Sequence, residues 1–278
     1  MPNPIADPLV ENVIAEDLTD LVRLEASPEG VAVVTLNRPH HGNAFDGQTI
    51  IALREAFETL HGADHVRVVF LRGEGGTFCS GLDQDWMQVI SDWSEADHRD
   101  DARAVGEMLK ALSDIPAVTV ALVEGAATGG GAGLVAVCDL AVATADARFA
   151  FGEVRQGLIP AMVAPFVVNA IGPRAAKALF ITGRAFGAEH AQRIGLVQEI
   201  VADAAGLSDA LTRITDEVML GAPGAVQQAK ALAWEAWGRP IDRDLIDDMA
   251  RRLAKRRTSD EGREGVAAAT QGRPPVWG

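Results

Sequence analysis

Two stretches of this 278-residue chain put glycine where main-chain chemistry becomes possible. "GAATGGGAGLVA" carries Gly129, Gly130 and Gly131 in a row, then Gly133, at the mouth of a run that otherwise reads as a buried helix. Glycine inside a helix costs about 1 kcal/mol relative to alanine, so these residues serve something other than helix stability. "GGTFCSGLDQDW" repeats the design: an apolar strand, a glycine-tightened loop, a helix start. The first N–H groups of a helix have no intrahelical acceptor and lie at the positive end of its dipole. Without a Cβ in the way, a ligand oxygen can approach them. Two such loops converging on one point would offer a pair of donors to a single oxygen, an oxyanion hole. Each loop taken alone is equally a tight strand-to-helix turn.

The elements that must carry these loops follow from the hydrophobic pattern. "LVRLEASPEGVAVVTLNRP" alternates apolar and polar residues around Pro28 to Gly30 and reads as a β-hairpin. A helix is expected over Asp46 to His61, with Leu53, Phe57 and Leu60 on one face. "RVVFLRG" and "AVTVALVEG" read as buried strands, each feeding one glycine loop. The segment Asp83 to Asp114 reads as helical and acidic, with "SDWSEADHRDD" its least ordered part. "CDLAVATADARFAFGEV" supplies short strands with a turn at Ala145 to Ala147. Short helices punctuated by Gly and Pro follow Pro160, and beyond Gly206 the period is helical throughout, with breaks at Pro223 and Pro240. There is no repeat at a fixed period. The result is an α/β core with a helical C-terminal part, divided as an N-terminal arm (1–18), a core (19–205) and a helical domain (206–278).

Composition narrows the function classes. The net charge of −14 argues against nucleic acid or an anionic membrane as a bulk partner. Any anionic ligand has to be held by local donors. Apolar runs such as Ala161 to Ala170 are far shorter than the roughly 20 residues of a membrane span. The first residues lack a basic-then-apolar signal pattern, so a cytoplasmic protein is expected. Cys79 and Cys138 lie in apolar segments without metal-ligand spacing and read as buried, reduced thiols.

At the two glycine loops, together with "TLNRPHHGNAF", the chain resembles the crotonase (enoyl-CoA hydratase/isomerase) superfamily. The resemblance continues through "FGEVRQGLIP", "GLVQEIV" and "EGREGVAA", so it spans nearly the whole length. In wording it is nearest to bacterial methylglutaconyl-CoA hydratase-like members. It implies a crotonase-type ββα spiral core with a helical C-terminal domain that oligomerises and completes the CoA site. It further implies an acyl-CoA thioester substrate, a homotrimer or dimer of trimers, and no metal or redox cofactor, since CoA arrives as part of the substrate.

Residue by residue, the resemblance assigns the donor N–H groups to Leu82 and Gly130, and the acid/base to Glu153. Burial among Phe149, Phe151 and Ile159 would bring the Glu153 pKa toward working pH. Hydratases of the family carry another glutamate where this chain has Gly133, so one member of the usual pair is missing. The resemblance therefore leaves an enoyl-CoA hydratase first, an enoyl-CoA isomerase second, and a non-catalytic acyl-CoA-binding protein third. Substrate contacts are expected from Arg38, Ala44, Ser80, Gly81, Gly129, Gly133 and Arg273. Trp86 and Met87 either cover the acyl chain or pack on a helix face. His40 and His41 either meet phosphates or are plain loop residues. Glu124 is read as a strand-end acid that could replace the missing carboxylate, Asp139 as a structural acid, and Asp83 as a charge on a helix start.

Overall fold

Every position of the strand Val31–Leu36 (β3) is buried, which suits a strand covered on both faces. In the computed structural model, which describes residues 14–277 and side chains from Asp20 onward, β3 lies inside a seven-stranded sheet. Val22–Ala26 (β2) pairs with it antiparallel through the Pro28–Gly30 turn, where Gly30 has φ of 89°. Val68–Gly73 (β4), Val118–Val123 (β5), Leu140–Thr144 (β7) and Glu199–Val201 (β10) extend the sheet in parallel. Ile14–Thr19 (β1) adds antiparallel to β2 at the other edge. The C-terminal residues of the expected arm thus belong to the sheet, because the strand offers β2 a free edge to pair with. The rest of that arm lies outside the described residues.

Helices supply the crossovers that parallel strands require. Gly47–His61 (α1) follows β3 and buries Ile50, Leu53, Phe57 and Leu60, each worth about 1.5–3 kcal/mol. Its first turn is closed by Asp46, whose carboxylate accepts the Thr49 N–H at 2.7 Å. The acidic segment is two helices, Gln84–Val89 (α2) and Glu95–Asp114 (α3). The stretch expected to be least ordered is regular from Glu95 on, because Ser94 and Asp97 form a capping box. Val105, Met108, Leu109 and Leu112 of α3 are buried.

A second, three-stranded sheet leaves the first at Gly125, which has φ of 63° and no room for a Cβ, since one would stand 2.3 Å from Gly76 O. Ala126–Thr128 (β6) pairs parallel with Arg148–Ala150 (β8), and Phe186–Gly187 (β9) pairs antiparallel with β8. Gly130–Val137 (α4) follows β6 directly. Ala164–Thr182 (α5) bends at Gly172–Pro173, where proline breaks the hydrogen-bond ladder. Ala188–Arg193 (α6) and Ala204–Met219 (α7) follow, with Leu207, Leu211 and Ile214 of α7 buried.

The chain forms two compact units, Met1–Thr215 and Asp216–Gly278. The second holds Pro223–Ala236 (α8), Arg243–Arg257 (α9) and Asp260–Gln271 (α10). Two of these helices, α9 and α10, are capped, with Asp242 accepting the Leu245 N–H and Ser259 the Gly262 N–H. Within α8 no residue is buried, and Trp237, Ile246 and Val266 of this unit are exposed. No helix among the described residues is long and apolar enough to cross a membrane.

Candidate active site

The first glycine loop is held from both sides. Phe45 N–H donates to Gly81 O at 2.6 Å, and Asp83 N–H donates to Phe45 O at 2.8 Å, making a parallel bridge between Phe45 and Leu82. On the other side Cys79 bridges to Ala127, with Cys79 N–H on Ala126 O and Thr128 N–H on Cys79 O, both at 2.9 Å. The buried amide of Asn43 donates to Glu74 O at 2.9 Å and Thr77 O at 2.6 Å, tying the "NAF" segment to the loop. The turn at Leu82 is therefore fixed by main-chain bonds, leaving its side chain free to face a ligand.

The glycines record how closely the two loops approach. A Cβ on Gly81, which has φ of 89°, would stand 2.7 Å from Thr128 O and 3.2 Å from Gly130 N. A Cβ on Gly131 would stand 2.2 Å from Cys79 O, and one on Gly130 would press on the Phe45 ring at 2.7 Å. Gly130 opens α4, so its N–H has no intrahelical acceptor. Among the described residues neither the Leu82 nor the Gly130 N–H has a hydrogen-bond acceptor. Two main-chain donors on touching loops are thus without an internal acceptor among the described residues.

Glu153 comes to the same place through the second sheet. The β6–β8 register sets Thr128 opposite Ala150, and Gly129 N–H donates to Ala150 O at 2.8 Å. Glu153 then begins a 3₁₀ turn, Glu153–Gln156, closed by Gly157 with φ of 76°. Its Oε1 lies 3.4 Å from where a Cβ on Gly129 would stand. Its Oε2 is buried without a hydrogen-bond partner. Burial pushes the carboxyl pKa up, against a smaller pull downward from its own main-chain N–H.

Leu82, Gly130 and Glu153 line one cavity of about 310 Å³, joined by Ser80, Met87 and Gly129. Sequence reasoning missed Gln84, Thr128, Gln156 and Leu158, which line it too. Gln156 had a readable signal: it sits three residues after Glu153, and in a 3₁₀ turn such residues eclipse.

Other expected contacts lie elsewhere. Gly133 is buried and faces Val163, whose Cγ1 would be 2.3 Å from an added Cβ; it is not a lining residue of the cavity. Arg38 is committed to Asp46 at 3.1 Å, Asp83 at 3.0 Å and Ala44 O at 2.6 Å. Ala44 is itself buried, and its carbonyl serves that internal bond. The Trp86 ring packs on Gly47, meets Trp93 edge-on at 5.6 Å between centroids, and donates to Asp101 at 3.3 Å; it packs instead of covering the cavity. Arg273 lies in the second unit, where Glu264 takes both its Nη1 and Nη2 at 2.6 and 2.8 Å.

Of the remaining acids, Asp139 and Asp83 have structural partners. Asp139 accepts the Thr119 N–H at 2.8 Å. Glu124 is half-buried beside Gly76 and is not a lining residue of the cavity. Asp83 caps α2 through Asp85 N–H at 2.8 Å and Trp86 N–H at 3.3 Å. His41, Asp83 and Asp85 hold potential ligand atoms within 4.8 Å of one another. A cation placed there would meet the Arg38 guanidinium already on Asp83. Neither Cys79 nor Cys138 forms a disulfide among the described residues; Cys79 is buried, which pushes its pKa up to about 12, and Cys138 is half-buried.

Two touching glycine loops with acceptor-free N–H groups, and a half-buried glutamate in the same cavity, are thus what the fold brings together here. Comparison with known proteins places the chain in a family. The family model described as Enoyl-CoA hydratase/isomerase matches residues 26–278, and the chain belongs to that family. The mitochondrial enoyl-CoA hydratase domain-containing protein 2 of Bos taurus is 31% identical over 255 residues, spanning 89% of this chain and 84% of that protein. The solved structure of Pseudomonas aeruginosa AtuE matches with a TM-score of 0.88 and 38% identity, over 92% of this chain and 99% of its own. An enoyl-CoA hydratase/isomerase from Marinobacter aquaeolei matches with a TM-score of 0.86 and 35% identity, over 93% and 99%. The architecture is the crotonase fold that the sequence motifs implied.

Proposed function

We propose that this protein is an enoyl-CoA hydratase, adding water across the α,β double bond of a straight or branched enoyl-CoA thioester. The observation that carries the reading is the Glu153 carboxylate, with its buried, unpartnered Oε2, in the same cavity as the acceptor-free N–H groups of Leu82 and Gly130. Those two N–H groups take the thioester carbonyl oxygen. When a water oxygen bonds to Cβ, the π electrons move through Cα to that oxygen, and the donors stabilise the enolate. One such donor is typically worth about 2.7–4 kcal/mol.

Glu153 accepts a proton from the attacking water and returns it to Cα as the enolate collapses. Hydroxyl and proton add to the same face, and the glutamate ends as it began. A carboxylate with a raised pKa is a stronger base for the first transfer and remains a competent acid for the second. CoA enters with the substrate, and the scheme uses no metal or redox group. A homotrimer or dimer of trimers remains part of this proposal, supported by the exposed Trp237, Ile246 and Val266 of the second unit.

One observation favours a second reading. Glu153 is the single carboxylate among the described residues lining the cavity. An isomerase needs no more: the same carboxylate would take a proton from Cα of a β,γ-enoyl thioester and deliver it to Cγ as the double bond moves. A panel of crotonyl-CoA, a branched enoyl-CoA and a β,γ-enoyl-CoA separates the two. Loss of conjugation with gain of one water supports the hydratase; new conjugation without mass change replaces it with the isomerase. Binding without any reaction leaves a non-catalytic acyl-CoA-binding protein.

A further inference from the structure

Among the described residues, twelve line the cavity around Glu153, and none of them is lysine, arginine or histidine. Its apolar wall comes from Leu82, Met87, Ala150 and Leu158, and its polar rim from the neutral side chains of Gln84 and Gln156. The neighbouring cations are used elsewhere. Arg38 is held by Asp46 and Asp83. Arg155, two residues from Glu153, packs on Gly183 and reaches Thr182 O. His41 faces Asp83 at 3.5 Å. Among the described residues, the one formal charge in the cavity wall is therefore the negative charge of Glu153.

We infer that the site selects enoyl thioesters with an uncharged acyl group and rejects those whose acyl chain ends in a carboxylate. This rests on the reading of the cavity as an enoyl-CoA site and names its substrate class. With the thioester oxygen at Leu82 and Gly130 and the double bond at Glu153, a short acyl chain has its far end within the same cavity. A carboxylate there would lose water without gaining a cation, and would face the charge that the chemistry needs on Glu153. Like charges about 6 Å apart at an effective dielectric constant of about 20 repel enough to cost on the order of 100-fold in affinity. A neutral chain meets only the apolar wall, with the two amides free to hydrogen-bond to a hydroxyl or a water. The excess negative charge of the chain, −14, works in the same direction on approach. The resemblance left the substrate as a straight or branched enoyl thioester; the cavity wall favours an uncharged acyl group among these.

The test compares crotonyl-CoA with glutaconyl-CoA, which differ by a terminal carboxylate, in both kcat/KM and Kd on the full-length protein. The expected result is a preference for crotonyl-CoA of about 100-fold. Gln84→Arg, which adds a cation to the rim away from the Glu153 turn, should narrow that ratio at least tenfold; Gln84→Lys is the substitute if that variant does not fold. Equal use of the two thioesters, or preference for glutaconyl-CoA, overturns the inference. If both bind with the expected ratio and neither reacts, charge selection stands and the hydratase reading falls. If neither binds, both fall.

Discussion

Val163 occupies the space into which a side chain on Gly133 would grow. A Cβ built on Gly133 lies 2.3 Å from Val163 Cγ1 and 3.0 Å from Val163 Cβ, and both residues are buried. The place where related hydratases carry another glutamate is therefore closed by a fitted pair, and a carboxylate cannot be restored there by one change. Gly133→Glu is expected to destabilise the protein by about 1–3 kcal/mol through overpacking. Adding Val163→Gly should recover much of that loss. Chemical denaturation of the two single variants and the double variant measures the coupling, and additive effects would refute the fit.

Glu153→Gln keeps the shape of the side chain and removes the proton carrier. Turnover should fall by about 10²–10⁴-fold, with affinity for the thioester retained. The same variant should be more thermally stable at neutral pH. Burial raises the Glu153 pKa in the folded state, so the ionised form burdens the native protein once the pH rises through that value. Below the ordinary carboxylate range both states are protonated and the advantage of glutamine disappears. Melting temperatures at acidic and neutral pH check the sign.

For hydration the reactive form of Glu153 is the carboxylate. The rate should therefore fall as the pH drops through a pKa above the usual glutamate value, because burial raises it. An acidic limb centred at or below an ordinary carboxylate pKa would contradict a desolvated base at this position. The profile of kcat/KM for an unsaturated thioester provides the measurement.

Arg38 is predicted to matter for folding. Arg38→Met leaves Asp83 buried without its cation and removes a bond to Ala44 O, at an expected cost of about 3 kcal/mol. Burial alone would raise the Asp83 pKa, but the N–H groups of Trp86 and Asp85 together with Arg38 bring it below its ordinary value. Its stabilising contribution is therefore present above the ordinary carboxylate range and lost as pH falls through the lowered value. A fall in melting temperature with little change in KM agrees with this; a large rise in KM at unchanged stability would return Arg38 to substrate binding.

What could be read in advance divides along physical lines. The glycine loops were legible because a donor that must be a main-chain N–H, approached closely, leaves glycine as its trace at Gly81, Gly129 and Gly130. The hairpin, α1 and the buried strands were legible from period alone. The internal partners of Arg38, Trp86 and Gly133 (Asp83, Asp101 and Val163) could not be read in advance, because they are distant in the chain and the types Arg and Trp suit a ligand as well as a core. Gln84 went unseen, since a neutral amide on a cavity rim has no distinctive pattern; the spacing of Gln156 from Glu153 was a signal, but one that tells only where the turn between them is 3₁₀. The order at Ser94 was present as a capping box, hidden within an acidic run that resembled a loose one.

The central claim is that Glu153 carries the proton of an added water to Cα while Leu82 and Gly130 hold the carbonyl oxygen. The most direct test is to incubate the protein with crotonyl-CoA in deuterium oxide enriched in heavy oxygen, and to locate both labels in the product. The account predicts heavy oxygen at Cβ and one deuterium at Cα, added on the same face, with both labels incorporated about 10²–10⁴-fold more slowly by Glu153→Gln. Crotonyl-CoA recovered unlabelled, or labelled equally by that variant, would contradict it.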